Sequence, residues 1–430
     1  MLLMMAVFLL FLFMGAPIVF SFAFASIVYV LQNGMENIVP PIFYSSLDSF
    51  SLLAIPFFIY AGDLMSNGGI SVKLLELSRT LIGRVKGYLG SITIVASAFF
   101  AAISGSGLAT VAAVGKIMIP EMIRHGYPRG YAAVLMATAS ILGPIIPPSV
   151  PMVLFAFVSG ASVLKMFLGG ILPGLLLALG LLILNRMYVR RFTLTENANA
   201  NPNPSGPASR ALEIWHAGRR AILALLMPVI IIGGIYSGIF TATEAAVVSV
   251  VYAILIGFLF YRELNWKTFF QATISTVNTT AFILITLVFA SIFSRILTIE
   301  RVPLKIVEFL TGSISSPELI VLIIVLFLLV VGMFIDLLTA VIIVTPVVLP
   351  VAQSIGMDLA HFGVLLCVTL CVGSITPPMA INLYLSAQIA EASVKDQMKY
   401  LMPFIVISVV VVFLIAYIPG LVLWIPGWLT

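Results

Sequence analysis

Two proline pairs interrupt apolar stretches of this chain, Pro147-Pro148 in "ILGPIIPPSV" and Pro377-Pro378 in "CVGSITPPMA", and they lie 230 residues apart. The same offset carries Pro120 to Pro350, Gly126 to Gly356 and Gly143 to Gly373, and it sets Ser106 on Asp336. One shift joining several glycine and proline positions marks an internal duplication, so the two halves are expected to repeat one structure.

The surroundings of these breaks are lipid-like. Of 430 residues, 62% are hydrophobic and 9% charged, against about 25% charged in a soluble domain. Apolar runs such as Met166 to Leu184 and Ala245 to Phe260 approach or reach the length that crosses a bilayer. The composition therefore predicts an all-α polytopic membrane protein embedded in a lipid bilayer. Spans are expected near Ile18–Leu31, Leu52–Leu64, Phe167–Leu184, Ala221–Tyr236, Ala245–Phe260, Phe269–Ile292 and Phe404–Trp424, with Met1–Met14 a partial or further crossing. The opening segment lacks a basic n-region and a small-residue cleavage site, and reads as retained membrane structure. Ser71–Val85 mixes charge with apolar helical spacing, as an interfacial helix does, and Val302–Leu310 is its shorter counterpart. Thr193–Arg210, "TLTENANANPNPSGPASR", has little to bury and reads as a flexible midpoint loop.

Each half runs in the same order. An apolar arm reaches a small polar tip, "ISGSG" at Ile103–Gly107 or "GMFID" at Gly332–Asp336, and a second arm returns to Pro120 or Pro350. Arms of this length are short for two full crossings, which predicts re-entrant hairpins surrounded by protein. A helix broken at Gly143–Ser149 or Gly373–Met379 follows each hairpin. Counting four spans between the halves inverts the second repeat relative to the first. All Lys and Arg residues except Lys165, Arg295, Arg301 and Lys305 then fall on one side, which the positive-inside rule makes cytoplasmic. That distribution explains the net charge of +5 without a nucleic-acid partner.

Proline removes an amide donor and glycine admits unusual dihedrals, so both breaks free backbone groups from the helical ladder. Such groups persist in a membrane only where protein, water or a ligand satisfies them. Half-helix N-termini offer donors and a positive dipole end to an anion, and freed carbonyls suit Na⁺. Short oxygen-bearing side chains surround the breaks: Ser104, Ser106, Thr110, Thr138, Ser140 and Ser149, then Asp336, Thr339, Thr345, Thr369, Ser374, Thr376 and Asn382. Hard oxygen donors fit an alkali ion better than a transition metal. Asp336 can neutralise a cation, accept a proton, or cap the second arm. Glu244 is expected to cap the span at Ala245.

Other chemistry finds no support. His125 and His361 are expected in loops and His216 in the central loop; Cys367 and Cys371 read as packing residues. Zinc-protease, nucleophile-elbow and phosphate-loop patterns are absent from the sequence, so neither ATP hydrolysis nor another enzyme activity is expected.

At these motifs the chain resembles the large membrane subunit of tripartite ATP-independent periplasmic (TRAP) transporters. The resemblance rests on "IPFFIYAGDLMSNGGI" at Ile55, "FFAAISGSGLATVAAVG" at Phe99, "IPEMIRHGY" at Ile119, "IIPPS" at Ile145, "GIFTATEAA" at Gly238 and "GSITPPMAINLYL" at Gly373. It implies an inverted-repeat elevator-type transporter in the bacterial inner membrane, coupled to Na⁺ and fed with an organic acid by a periplasmic substrate-binding protein. A small four-helix membrane subunit would brace it.

The implied ion regions are the two tips and two breaks, with Ser104, Gly105, Ser106, Gly143, Pro147, Gly332, Asp336, Gly373, Thr376 and Pro377 as Na⁺ candidates. Candidates for the acid are Ser106, Thr110, Ser149, Ser374, Thr376 and Asn382. Scaffold helices and an arm occupy 1–87, the first transport hairpin and broken helix 88–165, further scaffold with the central loop and second arm 166–315, the second transport unit 316–395, and a C-terminal helix 396–430. Three positions depart from the family pattern: Gly107-Leu108 replaces Ser-Pro, Ala242 a proline, and Ala380 a frequent glycine. A stand-alone carboxylate transporter and a non-transporting assembly subunit are the alternatives.

Overall fold

The computed structural model describes residues 1–83, 87–192, 194, 207–314, 316–378 and 380–429, with side chains in the helix from Pro207 described from Glu213 onward. All regular structure among them is helical. The chain opens with α1 (Leu2–Phe13), α2 (Ile18–Asn33), α3 (Val39–Leu47), α4 (Ala54–Asn67) and α5 (Ile70–Ile82). The first hairpin is α6 (Tyr88–Ser104), then α7 (Gly107–Thr110), which continues through a π turn into α8 (Lys116–Arg124). The first broken helix is α9 (Arg129–Ser140) and α10 (Val150–Ser159). Next come α11 (Val163–Val189), α12 (Pro207–Tyr236), α13 (Ala242–Leu255), α14 (Trp266–Ile299) and α15 (Val302–Ser313). The second hairpin is α16 (Pro317–Phe334) and α17 (Leu337–Ser354), the second broken helix α18 (Leu359–Gly373) and α19 (Ile381–Ala390), and α20 (Val394–Tyr417) and α21 (Gly420–Leu429) follow.

The duplication is visible residue by residue. Ser106 and Asp336 each cap the return arm of a hairpin, as matched positions in a repeat would. Gly126 and Gly356 both turn the chain with positive φ, at +92° and +75°. Pro147-Pro148 and Pro377-Pro378 are both cis. The packing is exchanged between the halves: α10 lies on α17, while α19 lies on α9 and α8. Each broken helix thus ends against the other half's hairpin.

Eight helices among the described residues are long and apolar enough to cross a membrane. They include α11 through α14 and α20, as expected, and also α16 and α17 at 18 residues each. Both arms of the second hairpin are at the upper end of the expected arm length. The expected span Phe404–Trp424 is divided, because Pro419 cannot continue the ladder and α20 gives way to α21 around it.

α5 forms close to the expected segment, with Leu74, Leu75 and Ser78 buried and α6 and α12 as its neighbours. Arg84 and Val85, at its expected end, lie outside the described residues. So does most of the expected flexible loop over Thr193–Arg210, whose last residues, from Pro207, belong to α12.

Two histidines depart from their expected loops. His216 lies within α12. His361 is buried in the first turn of α18, where its Nε2 pairs with the Ile415 carbonyl at 2.8 Å. α11 packs on α6, α10, α18, α20 and α21, whereas α4 packs on α13 and α14, and α14 on α2; this second group meets the hairpins through α4 on α6 and α14 on α17.

Candidate transport site

The first tip is built by a helix stop and an immediate restart. α6 ends at Gly105, which adopts φ +60° and returns its N–H to the Ala101 carbonyl at 3.1 Å. Ser106 then caps α7, its Oγ accepting from Ala109 N–H at 3.4 Å. The Ser106 carbonyl accepts the Thr110 hydroxyl at 2.8 Å, and the Ser104 hydroxyl lies 3.4 Å from the same oxygen. Ser104 and Thr110 are buried.

This tip presses on the first break. A β-carbon on Gly143 would stand 2.7 Å from the Ser106 carbonyl, and one on Gly105 would stand 2.5 Å from the Pro148 carbonyl. Backbone meets backbone there, which only glycine permits. Within the break, the buried Ser149 donates to the Pro144 carbonyl at 2.5 Å and accepts from Met152 N–H at 3.3 Å, so its hydroxyl seals the Pro147 segment and caps α10.

The second tip repeats the contact with other residues. A β-carbon on Gly332 would fall 2.8 Å from the Leu370 carbonyl, and one on Gly373 would fall 2.7 Å from the Gly332 Cα. Asp336 accepts from Leu338 and Thr339 N–H at 3.1 and 3.3 Å, the capping role foreseen as one alternative. Ser374 donates to the Cys371 carbonyl at 2.8 Å and Thr376 to the Val372 carbonyl at 3.1 Å. Both hydroxyls satisfy carbonyls where α18 ends, just before Pro377. Met379, the far edge of the expected break, lies outside the described residues.

Asn382 brings the halves together. Its side-chain amide donates to Ser140 Oγ at 3.0 Å, and a β-carbon on Gly107 would stand 2.7 Å from that amide nitrogen. Ser106, Gly107, Ser140, Gly143 and Asn382 therefore form one junction of tip, break and opposite half. Gly332, Gly373, Asp336, Ser374 and Thr376 belong to the matching second tip and break.

Two contributors were not singled out from sequence. Gly62 in α4 places its α-carbon so close to the first tip that a β-carbon would stand 2.9 Å from the Ser104 carbonyl; the small residues of "YAGD" in an apolar span were its signal. Asn185 in α11 accepts from Tyr131 at 2.8 Å and donates to Ser91 Oγ at 3.0 Å, tying α11 to α6 and α9. A lone asparagine inside "LLILNRMY" was the signal. Among the described residues no group of three or more His, Cys, Asp or Glu side chains is placed to hold a metal ion.

An all-helical membrane chain with two tip-on-break units has the architecture of a transporter. Its fold is similar to the solved structure of the Alcanivorax borkumensis YdaH transporter, described as having an unusual topology, with a TM-score of 0.60 at 17% identity over 93% of this chain and 90% of that one. That likeness concerns the fold.

The family described as "Tripartite ATP-independent periplasmic transporter, DctM component" matches residues 5–421, and the chain belongs to it. The chain is 37% identical over 98% of its length to the isethionate TRAP transporter permease protein DctMQ of Oleidesulfovibrio alaskensis, spanning 65% of that longer protein. It is 33% identical to the sialic acid TRAP transporter large permease protein SiaM of Vibrio cholerae, covering 96% of each chain. It is 34% identical to the C4-dicarboxylate TRAP transporter large permease protein DctM of Pseudomonas aeruginosa, over 90% of this chain and 88% of that one.

Proposed function

We propose that the chain is the large permease of a secondary transporter that takes a small organic acid into the cell on the energy of Na⁺ entry. The observation that carries this reading is the junction of Ser106, Gly143 and Asn382, where a hairpin tip, a broken helix and the opposite half meet beside the buried Asn382–Ser140 hydrogen bond. The start of α19, which no side chain caps, provides N–H groups and a positive dipole end for a carboxylate. Hydroxyl and carbonyl oxygens at the two tips provide the ligands for Na⁺. Asp336 adds one negative charge at the second tip, which lowers the cost of bringing a cation there.

The relatives support the substrate class, since those compared are described as carrying isethionate, sialic acid or C4-dicarboxylates. The tripartite family description supports two partners; we take them to be a small four-helix membrane subunit and a periplasmic substrate-binding protein that delivers the acid. The basic-residue bias supports an inner-membrane orientation with Arg129, Lys395 and Lys399 in the cytoplasm. Movement would be of the elevator kind, the two hairpins and broken helices travelling against the group formed by α2, α4, α13 and α14. The packing of α11, α20 and α21 supports placing them with the moving body. In that body both hairpins would stop partway through the membrane, screened by protein.

Uptake into proteoliposomes containing the chain and both partners tests the proposal. Accumulation of one acid that requires an inward Na⁺ gradient is the expected result; accumulation indifferent to Na⁺ would remove the coupling.

A further inference from the structure

α19 carries a polar stripe that neither the tips nor the breaks require. Tyr384, Gln388 and Glu391 follow one another at intervals of four and three residues, and all are exposed. The four-residue spacing sets Tyr384 and Gln388 on one face of α19, and Glu391 follows as the C-cap just past its end. The opposite face is buried, through Asn382, Leu383, Ser386 and Ala390. An exposed glutamine favours water or a polar solute beside it over hydrocarbon.

A cleft of about 550 Å³ runs along the stripe. Leu108, beside the first tip, and Ile381, just past the second break, line its inner end. Tyr384 ties that end to the break by donating to the Pro378 carbonyl at 3.0 Å. Glu391 and Ala392 line the outer end. There Arg129 donates to the Ala390 carbonyl and to the Glu391 carboxylate, both at 2.9 Å. Ten residues of helix, roughly 15 Å at 1.5 Å per residue, separate the two ends.

We infer that this cleft is the water-filled release path for the transported acid, with Gln388 as its hydrogen-bonding relay and the Arg129–Glu391 pair as its cytoplasmic mouth. The direction of release rests on the uptake function proposed above. Gln388 offers both a donor and an acceptor, so it can pass a hydrated carboxylate without holding it as a fixed cation would. At the mouth, Arg129 keeps Glu391 from presenting an unbalanced negative charge to a leaving anion. Leu108 supplies part of the cleft's apolar wall.

Accessibility tests the path without relying on transport. Gln388→Cys and Tyr384→Cys are treated with a membrane-impermeant maleimide in inside-out and right-side-out vesicles from cells making the chain with its partners. Cys367 and Cys371 are fully buried, so the parent protein is the blank. Val229→Cys, at an exposed position on α12, reports a lipid-facing thiol.

The path predicts that both α19 thiols react at least about tenfold faster than the Val229→Cys thiol, and faster in inside-out vesicles. Equal slowness of all three would overturn it, placing α19 against lipid or a partner subunit. Faster reaction from the periplasmic side would reverse its direction. Where the parent accumulates an acid, Gln388→Glu should lower uptake by about tenfold while Gln388→Asn retains most of it; full activity in Gln388→Glu would remove the relay role. Fast cytoplasmic labelling with no uptake in the parent would instead leave the path standing and count against the transport reading.

Discussion

Asn382 donates to Ser140 across 242 residues of sequence, at 3.0 Å, and this one bond joins the start of α19 to the end of α9 beneath the first hairpin tip. Both side chains are buried, so no water replaces a missing partner cheaply. Asn382→Ala is expected to destabilise the protein by about 1–3 kcal/mol, the cost of losing a buried hydrogen bond. Thermal unfolding of the purified protein in detergent measures it, and an unchanged midpoint would mean the bond contributes nothing.

The tip contacts make a second expectation. Gly143→Ala and Gly332→Ala each drive a methyl into backbone, at 2.7 and 2.8 Å from the nearest carbonyl atoms. Backbone cannot swing aside as a side chain can, so each substitution should cost roughly 1–3 kcal/mol and reduce uptake. Gly233→Ala, with nothing within 4 Å of the added carbon, is the matched control and should leave both quantities near the parent values.

Asp336 separates capping from charge. Asparagine caps helices about as well as aspartate, whereas alanine forfeits about 0.5–2 kcal/mol. Asp336→Asn should therefore unfold at the parent temperature yet need about tenfold more Na⁺ for half-maximal uptake; Asp336→Ala should lose stability as well. An unaltered Na⁺ requirement in Asp336→Asn would confine the residue to its cap.

Asn185→Ala removes the partner of the buried Tyr131 hydroxyl. A loss of about 1–3 kcal/mol is expected. Tyr131→Phe, which removes the other half of the pair, should add little when combined with it. A fully additive double variant, followed by thermal unfolding, would show that the two side chains act separately.

The duplication was legible because glycine and proline act locally: a residue that ends a helix does so wherever it stands. Hence Ser106 and Asp336 matched in sequence and match as caps, and Gly126 and Gly356 match as turns. The division of Phe404–Trp424 was hidden because apolar composition counts residues and does not register a single Pro419. The burial of His361 is not legible locally, because its partner, the Ile415 carbonyl in α20, is 54 positions away. The Asn382–Ser140 junction was out of reach for the same reason. Both residues were recognisable as polar groups near a break, but only the crossing of α19 onto α9 brings them into contact.

Na⁺-driven uptake by the reconstituted chain with its membrane and periplasmic partners tests the central claim most directly. With an inward Na⁺ gradient, one acid from a panel containing isethionate, sialic acid and C4-dicarboxylates or their close chemical kin should accumulate above its external concentration, and collapsing the gradient should abolish that accumulation. Accumulation that survives the collapse, or none in a complex shown to be folded and assembled, would contradict it.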